Sequence, residues 1–117
     1  MADFKKLDVW EKAHALSLLS HTVALGIRGT VYASLRNQIV RAAQSIPTNI
    51  VEGREQRTDA EFARYLRYAL ASTSELEYHA ITGRDIGVIK TEDFKSISAQ
   101  AKTVRMMLFG LLKRLDK

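Results

Sequence analysis

Four arginines, at positions 54, 57, 64 and 67, fall within fourteen residues and have Tyr65 and Tyr68 interleaved with them. On a helix, Arg64, Arg67 and Tyr68 occupy adjacent ridge positions. Guanidinium groups beside aromatic rings can hold phosphate while the rings stack on bases. Further along, Lys95, Lys102, Arg105 and Lys113 extend the positive character. Arg54, Arg57, Arg64, Arg67, Tyr68, Lys95, Lys102 and Arg105 therefore form the expected nucleic-acid-binding set. The plain alternative is a solvated helix face with half-buried tyrosine rings.

A second pattern is polar and mostly uncharged. Gln38, Arg41, Ser45, Asn49 and Glu52 follow one another at steps of three and four, along one side of a helix. Ser72 and Glu75, with Arg64, stand where a neighbouring helix would face that stripe. Arg41 or Arg64 would then pair with Glu52 or Glu75. Two readings stay open: a hydrogen-bonded network that fixes helix register, as one buried Asn does in coiled coils, or a ligand site. The structural network, comprising Gln38, Arg41, Ser45, Asn49, Glu52, Ser72 and Glu75, is the preferred one.

Other chemistries find incomplete sets. A carboxylate-bridged di-metal centre in a helical bundle needs Glu ligands and a Glu-x-x-His pair on each of two helices. Glu11 and His14 make one pair, Glu75 and His79 are four apart, and the last helix offers only Glu92 and Asp93 at its start. His14 and His21 lie two turns apart, about 10 Å, too far to chelate one ion together. No Ser sits in a strand-to-helix elbow, and the glycines lack phosphate-loop spacing. No metal, no cofactor and no catalytic residue is expected, and the chain reads as a non-enzyme.

The elements that carry these residues are helices. One Pro, six Gly and an abundance of Ala, Leu, Arg, Lys and Glu favour helix, because these side chains lose little rotamer freedom there. Asp8 is placed to cap a first helix over about 8–27, with Val9, Ala13, Leu16, Ser20, Val23 and Ile27 as its core stripe. A second stripe, His14, Leu18, His21 and Leu25, makes that helix two-sided, so it is expected to touch two neighbours. A second helix spans about 34–54 with Leu35, Ile39, Ala42, Ile46, Asn49 and Gly53 inward, and Pro47 predicts a kink or local break near Gln44 to Pro47, past which the helix continues. Thr58 and Glu61 fit a capping box opening a third helix over about 59–82, which stops at Gly83. Its stripe is Phe62, Leu66, Ala69, Thr73, Leu76 and Ala80. Phe94, Ile97, Ala101, Val104, Leu108, Leu111 and Leu115 mark a fourth helix over about 92–115. Short connections make an antiparallel up-down-up-down four-helix bundle the simplest packing, as a single domain over 1–117.

Composition agrees with this. The chain has 117 residues, 46% of them hydrophobic and 26% charged, the profile of one globular domain. Without cysteine there is no disulfide or thiolate zinc site, and the N-terminal run has no apolar signal core. A cytoplasmic location and no membrane insertion are expected. Eighteen Lys plus Arg against thirteen Asp plus Glu give a net charge of +5, which favours polyanionic partners.

The run Ser45-Ile46-Pro47-Thr48-Asn49-Ile50-Val51-Glu52-Gly53, preceded by Gln38-Ile39-Val40-Arg41-Ala42-Ala43, resembles the signature of the four-helix-bundle proteins encoded in 23S rRNA intervening sequences. Leu7, Val9 and Trp10, then Phe62, Ala69, Ser72, Glu75 and Leu76, and later Gly87, Met107, Leu108 and Leu111, fit the same pattern. The chain departs from it in the first connection, where the family commonly has a Phe-Pro step and this sequence reads Ile27-Arg28-Gly29-Thr30-Val31-Tyr32. The resemblance implies a protomer that assembles into a ring-like homopentamer. It also connects the chain to the accessory variability proteins of diversity-generating retroelements, basic pentamers that bind nucleic acid and a reverse transcriptase. The expectation that follows is a homo-oligomeric accessory protein that binds RNA or DNA and presents it to a partner such as a reverse transcriptase. A protein-protein scaffold without nucleic acid is the alternative, and a di-metal bundle enzyme comes after it.

Overall fold

The computed structural model describes residues 3–116. Among these the chain forms four α-helices and two short 3-10 turns, with no strand. The helices are α1 (Asp8–Leu25), α2 (Ala33–Arg54), α3 (Asp59–Asp85) and α4 (Thr91–Leu115). Each helix neighbours two others, in the cyclic order α1, α2, α3, α4 and back to α1. Ser45 meets Ser72 while Gly53 meets Tyr65, so α2 and α3 are antiparallel. Arg84 lies against Phe94 while Arg67 meets Asp116, so α3 and α4 are too. The result is an up-down-up-down four-helix bundle, 45 Å long and about 20 Å across.

The inward stripes close the core. Val9, Ala13, Leu16, Ser20, Val23 and Ile27 are all buried, as are Phe62, Leu66, Ala69, Thr73, Leu76 and Ala80. On α4 the stripe shifts at its end: Leu112 is buried, whereas Leu111 and Leu115 are only partly covered. A straight helix has 3.6 residues per turn, so a strict heptad drifts off the core axis.

Several local features differ from the sequence expectation. Leu7, with no side-chain hydrogen bond, is the N-cap of α1, and Asp8 is the first helical residue. Asp8 therefore acts through its charge at the positive end of the helix dipole. Upstream, Asp3 caps a 3-10 turn over Phe4–Lys6. Phe4 then packs edge-on to Trp10, whose ring stacks on His14 at 5.1 Å. His14 is thus part of an aromatic ladder.

α1 ends two residues early, at Leu25, and Ile27 is buried from the connection itself. Gly29 takes φ +100°, a left-handed conformation that disfavours side chains, and a 3-10 turn over Thr30–Tyr32 leads into α2. Arg36 ties this connection to α2 by donating to the carbonyls of Ile27 (2.8 Å) and Gly29 (3.3 Å).

Pro47 does not break α2, which is continuous from Ala33 to Arg54. Proline removes one amide donor, and the neighbouring turns bring side-chain donors to the same stretch. Thr48 Oγ1 donates to the Gln44 carbonyl and Asn49 Nδ2 to the Ser45 carbonyl, both at 2.8 Å.

Thr58 Oγ1 accepts from the Glu61 amide at 3.1 Å, which is half of the capping box; the Glu61 carboxylate turns to Arg64 instead. α3 runs past Gly83 to Asp85. Gly83 is buried because Ile89 folds over it, and an added Cβ would lie 2.4 Å from Ile89 Cδ1. The turn falls at Gly87, at φ +84°.

Candidate nucleic-acid interface

The α2–α3 junction gathers five of the eight expected residues. Arg54 closes α2, with its guanidinium 5.7 Å from the Phe62 ring centre. Its Nε is buried without a hydrogen-bond partner among the described residues. Arg57 is exposed in the turn that follows. One turn into α3, Arg64 donates from Nε to Glu61 Oε1 (3.0 Å) and from Nη1 to the Tyr68 hydroxyl (3.1 Å). It lies 5.4 Å from the Tyr65 ring centre and 5.7 Å from that of Tyr68. The two tyrosines pack edge to face at 5.6 Å.

The hydrogen bond that Arg64 donates to Glu61, then the charge of Glu61, then the Tyr68 phenol hold the Arg64 guanidinium's pKa above its ordinary value. Arg64 therefore keeps its charge throughout the working pH range. Arg67 makes an exposed ion pair with Asp116 at 3.3 Å. Such pairs contribute little and are screened by salt, so a phosphate can compete for the guanidinium.

The other three separate. Lys102 is exposed midway along α4. Lys95 is exposed near the start of α4, at the end of the bundle opposite the arginine cluster. Arg105 departs most from the expectation: it is partly buried in the α3–α4 seam and pairs there with Glu77, whose other carboxylate oxygen accepts from Ser98 at 3.1 Å. Its charge is neutralised within the fold.

The polar stripe contracts to three members. Ser45 and Ser72 hydroxyls meet at 2.8 Å across the α2–α3 seam, and Asn49 Nδ2 reaches Ser45 Oγ at 3.0 Å. Gln38 instead donates to Ser34 at 3.3 Å. Arg41 and Glu52 point outward without an ion pair among the described residues, and Glu75 faces His79 at 3.5 Å. The expected pairing of Arg41 or Arg64 with Glu52 or Glu75 does not form among the described residues, and Arg64 is held by Glu61 one turn before it. Among the described residues, no three His, Asp or Glu side chains gather as metal ligands would.

Residues 5–110 match the family of 23S rRNA-intervening sequence proteins. The chain belongs to that family. Its name records a genomic setting and no activity. The intervening-sequence protein fold here is similar to a crystal structure of a protein of unknown function from the S23 ribosomal protein family of Bacteroides thetaiotaomicron VPI-5482. The two share 23% identity and a TM-score of 0.83, over 90% of this chain and 98% of the other, a likeness of fold. Among curated proteins, none matches the chain. No helix is long and apolar enough to cross a membrane among the described residues.

Two surface features of this intervening-sequence protein lie outside the expected site residues. Leu18 and Leu25 on α1 are 56% and 69% exposed, and with His21 and Val40 they line a shallow groove between α1 and α2. The second stripe of α1 thus stays open, with no element among the described residues covering it. On α4, Met106 and Phe109 are 64% and 56% exposed and stand between Lys102 and Lys113. The steps of four, three and four that join these residues are visible in the sequence as one stripe, but the charge of its lysines masks the two apolar side chains between them.

Proposed function

We propose that this chain is a non-enzymatic, basic accessory protein that assembles as a homo-oligomer, holds RNA or DNA on its Arg/Lys surface and presents it to a partner enzyme. The observation that carries the reading is the arginine–tyrosine cluster at the α2–α3 junction. Arg57, Arg64, Arg67 and Tyr68 are exposed there, and Arg54 is partly exposed at the end of α2. Cations that are mobile or only loosely paired bind phosphates and release counterions, so affinity falls steeply with salt.

Self-association finds support in the groove between α1 and α2. Exposed leucines free of neighbouring lysines fit a protein interface, where lysine is depleted. A homopentamer, as the family resemblance implies, and a reverse transcriptase as the partner are the forms of this proposal to be tested first.

The test is a binding titration of the assembled protein against RNA and DNA at low and physiological salt, with native mass spectrometry reading the number of chains. Changing Arg54, Arg57, Arg64 and Arg67 to Ala is expected to weaken binding. It is also expected to flatten the salt dependence by about one unit of slope for each phosphate that the variant no longer neutralises. Binding that ignores salt overturns the mechanism. No binding in either buffer leaves the exposed α1–α2 groove as the main functional surface, and with it the scaffold reading.

A further inference from the structure

We infer that the outer face of α4 is a stacking site for single-stranded nucleic acid, with Phe109 as the platform. The inference rests on the nucleic-acid reading above and deepens it by naming the class of strand and a second binding surface.

Phe109 is 56% exposed and Met106, one turn before it, 64% exposed. Both belong to α4's outward side, whereas Val104, Leu108 and Leu112 fill the core. Burying an aromatic ring normally gains a large hydrophobic contribution, and Phe109 forgoes it beside a second exposed apolar side chain, Met106, so that the two make a small patch. Two helices each pair exposed apolar side chains on one face, Leu18 and Leu25 on α1 and Met106 and Phe109 on α4, and the flanking residues distinguish the pairs. Leu18 and Leu25 stand on a face with His21 and Thr22, and the cations that border the groove beside Leu25 are arginines, Arg36 and Arg41, a residue type enriched in protein interfaces. Met106 and Phe109 instead alternate with Lys102 and Lys113 on one stripe, and Arg67 of α3 borders the same depression. Strongly hydrated lysine ammonium groups are unfavourable at the centre of a protein interface, but beside an aromatic ring they suit a strand that stacks its bases and passes its phosphates alongside.

The shape agrees with this. Arg67, Leu70, Phe109, Leu112, Lys113 and Asp116 line an open depression of about 510 Å³ between α3 and α4. Leu70 and Leu112 form an apolar floor, and the cations stand at its rim. Asp116 is the one anion among these lining residues, and its exposed ion pair with Arg67 is of the kind that salt or phosphate displaces. In a duplex the bases are already stacked on one another and their faces are closed to Phe109. A single strand offers them, so the ring selects the single strand, whereas lysines and arginines alone would not discriminate.

Fluorescence anisotropy with labelled dT20 and with a duplex of equal length tests this on the intact protein at matched salt. Wild type is expected to bind dT20 more tightly than the duplex. Phe109→Ala is expected to lose about 5- to 150-fold in dT20 affinity, the range for removing one stacked base, and little for the duplex. Phe109→Trp, which keeps a ring, is expected to retain binding. Circular dichroism and native mass spectrometry of each variant report fold and chain number. An unchanged dT20 affinity in a folded Phe109→Ala variant overturns the inference while leaving the arginine cluster standing. A change in chain number on Phe109→Ala overturns it as well, since it assigns the ring to an interface between copies. Absence of binding to both probes by wild type defeats the broader reading along with this one.

Discussion

The two seams that flank α3 are built from different materials. Toward α2 the chain places small residues: Ala42, Gly53, Ser45, Ala69 and Ser72. The backbones approach closely there, and a Cβ on Gly53 would come within 2.8 Å of Tyr65 Cβ and 2.9 Å of Phe62 Cδ1. Register is fixed by neutral hydroxyl and amide groups, Ser45, Ser72 and Asn49. Toward α4 the lock is ionic and partly wet: Glu77 holds Arg105 and Ser98, and Arg84 lies 4.3 Å from the Phe94 ring centre. Short side chains commit a seam to one geometry, because nothing in them adjusts. Long charged ones span a wider gap and leave depressions beside it, which is where the outward face of α4 becomes available.

The largest expected effect comes from crowding the tight seam at its closest approach. Gly53→Ala adds helix propensity of up to about 1 kcal/mol, yet the clash with Tyr65 and Phe62 is with ring and Cβ atoms that cannot swing away. A net loss of about 1–3 kcal/mol in chemical denaturation is expected. A stabilised Gly53→Ala protein would show that α2 and α3 part easily, and the contrast would fail.

The two locks give the next test. Glu77→Ala leaves Arg105 partly buried without its carboxylate, both side chains being about a quarter exposed, and is expected to cost about 1–2 kcal/mol, diminishing in high salt. Ser72→Ala is expected to cost about 1 kcal/mol at any salt, since Ser45 still keeps Asn49. Equal salt responses in the two variants would erase the distinction between an ionic and a neutral seam.

The smallest effect has the opposite sign. Gly110 lies on the open side of α4, where an added Cβ meets nothing within 4 Å. Gly110→Ala is expected to raise stability by about 0.5–1 kcal/mol, visible as a higher melting temperature. The same residue type thus serves close packing at position 53 and carries only an entropic cost at position 110.

Much of this was written in the sequence. The apolar ridges of α1 and α3 were legible residue by residue, because a 3.6-residue period leaves few ways to bury them together. The arginine–tyrosine cluster was legible as well, since five of its members are local in sequence on either side of one turn. Gly83 misled for a physical reason: a glycine near a helix end reads as a stop, and only the fold brings Ile89 back over it. At Pro47 the continuation of the helix was legible, and only the local break did not occur.

By itself, then, the sequence determined what depends on neighbours along the chain: four amphipathic helices and the ridges that carry charge. Tertiary structure decided what depends on neighbours across it. It chose Glu77 as the acid that holds Arg105, reduced seven polar residues to a three-member network, and left Phe109 uncovered among lysines. Periodicity fixes which way a side chain points, but its partner is set by how far the next helix lies and at what height, and those distances come only from the packed bundle.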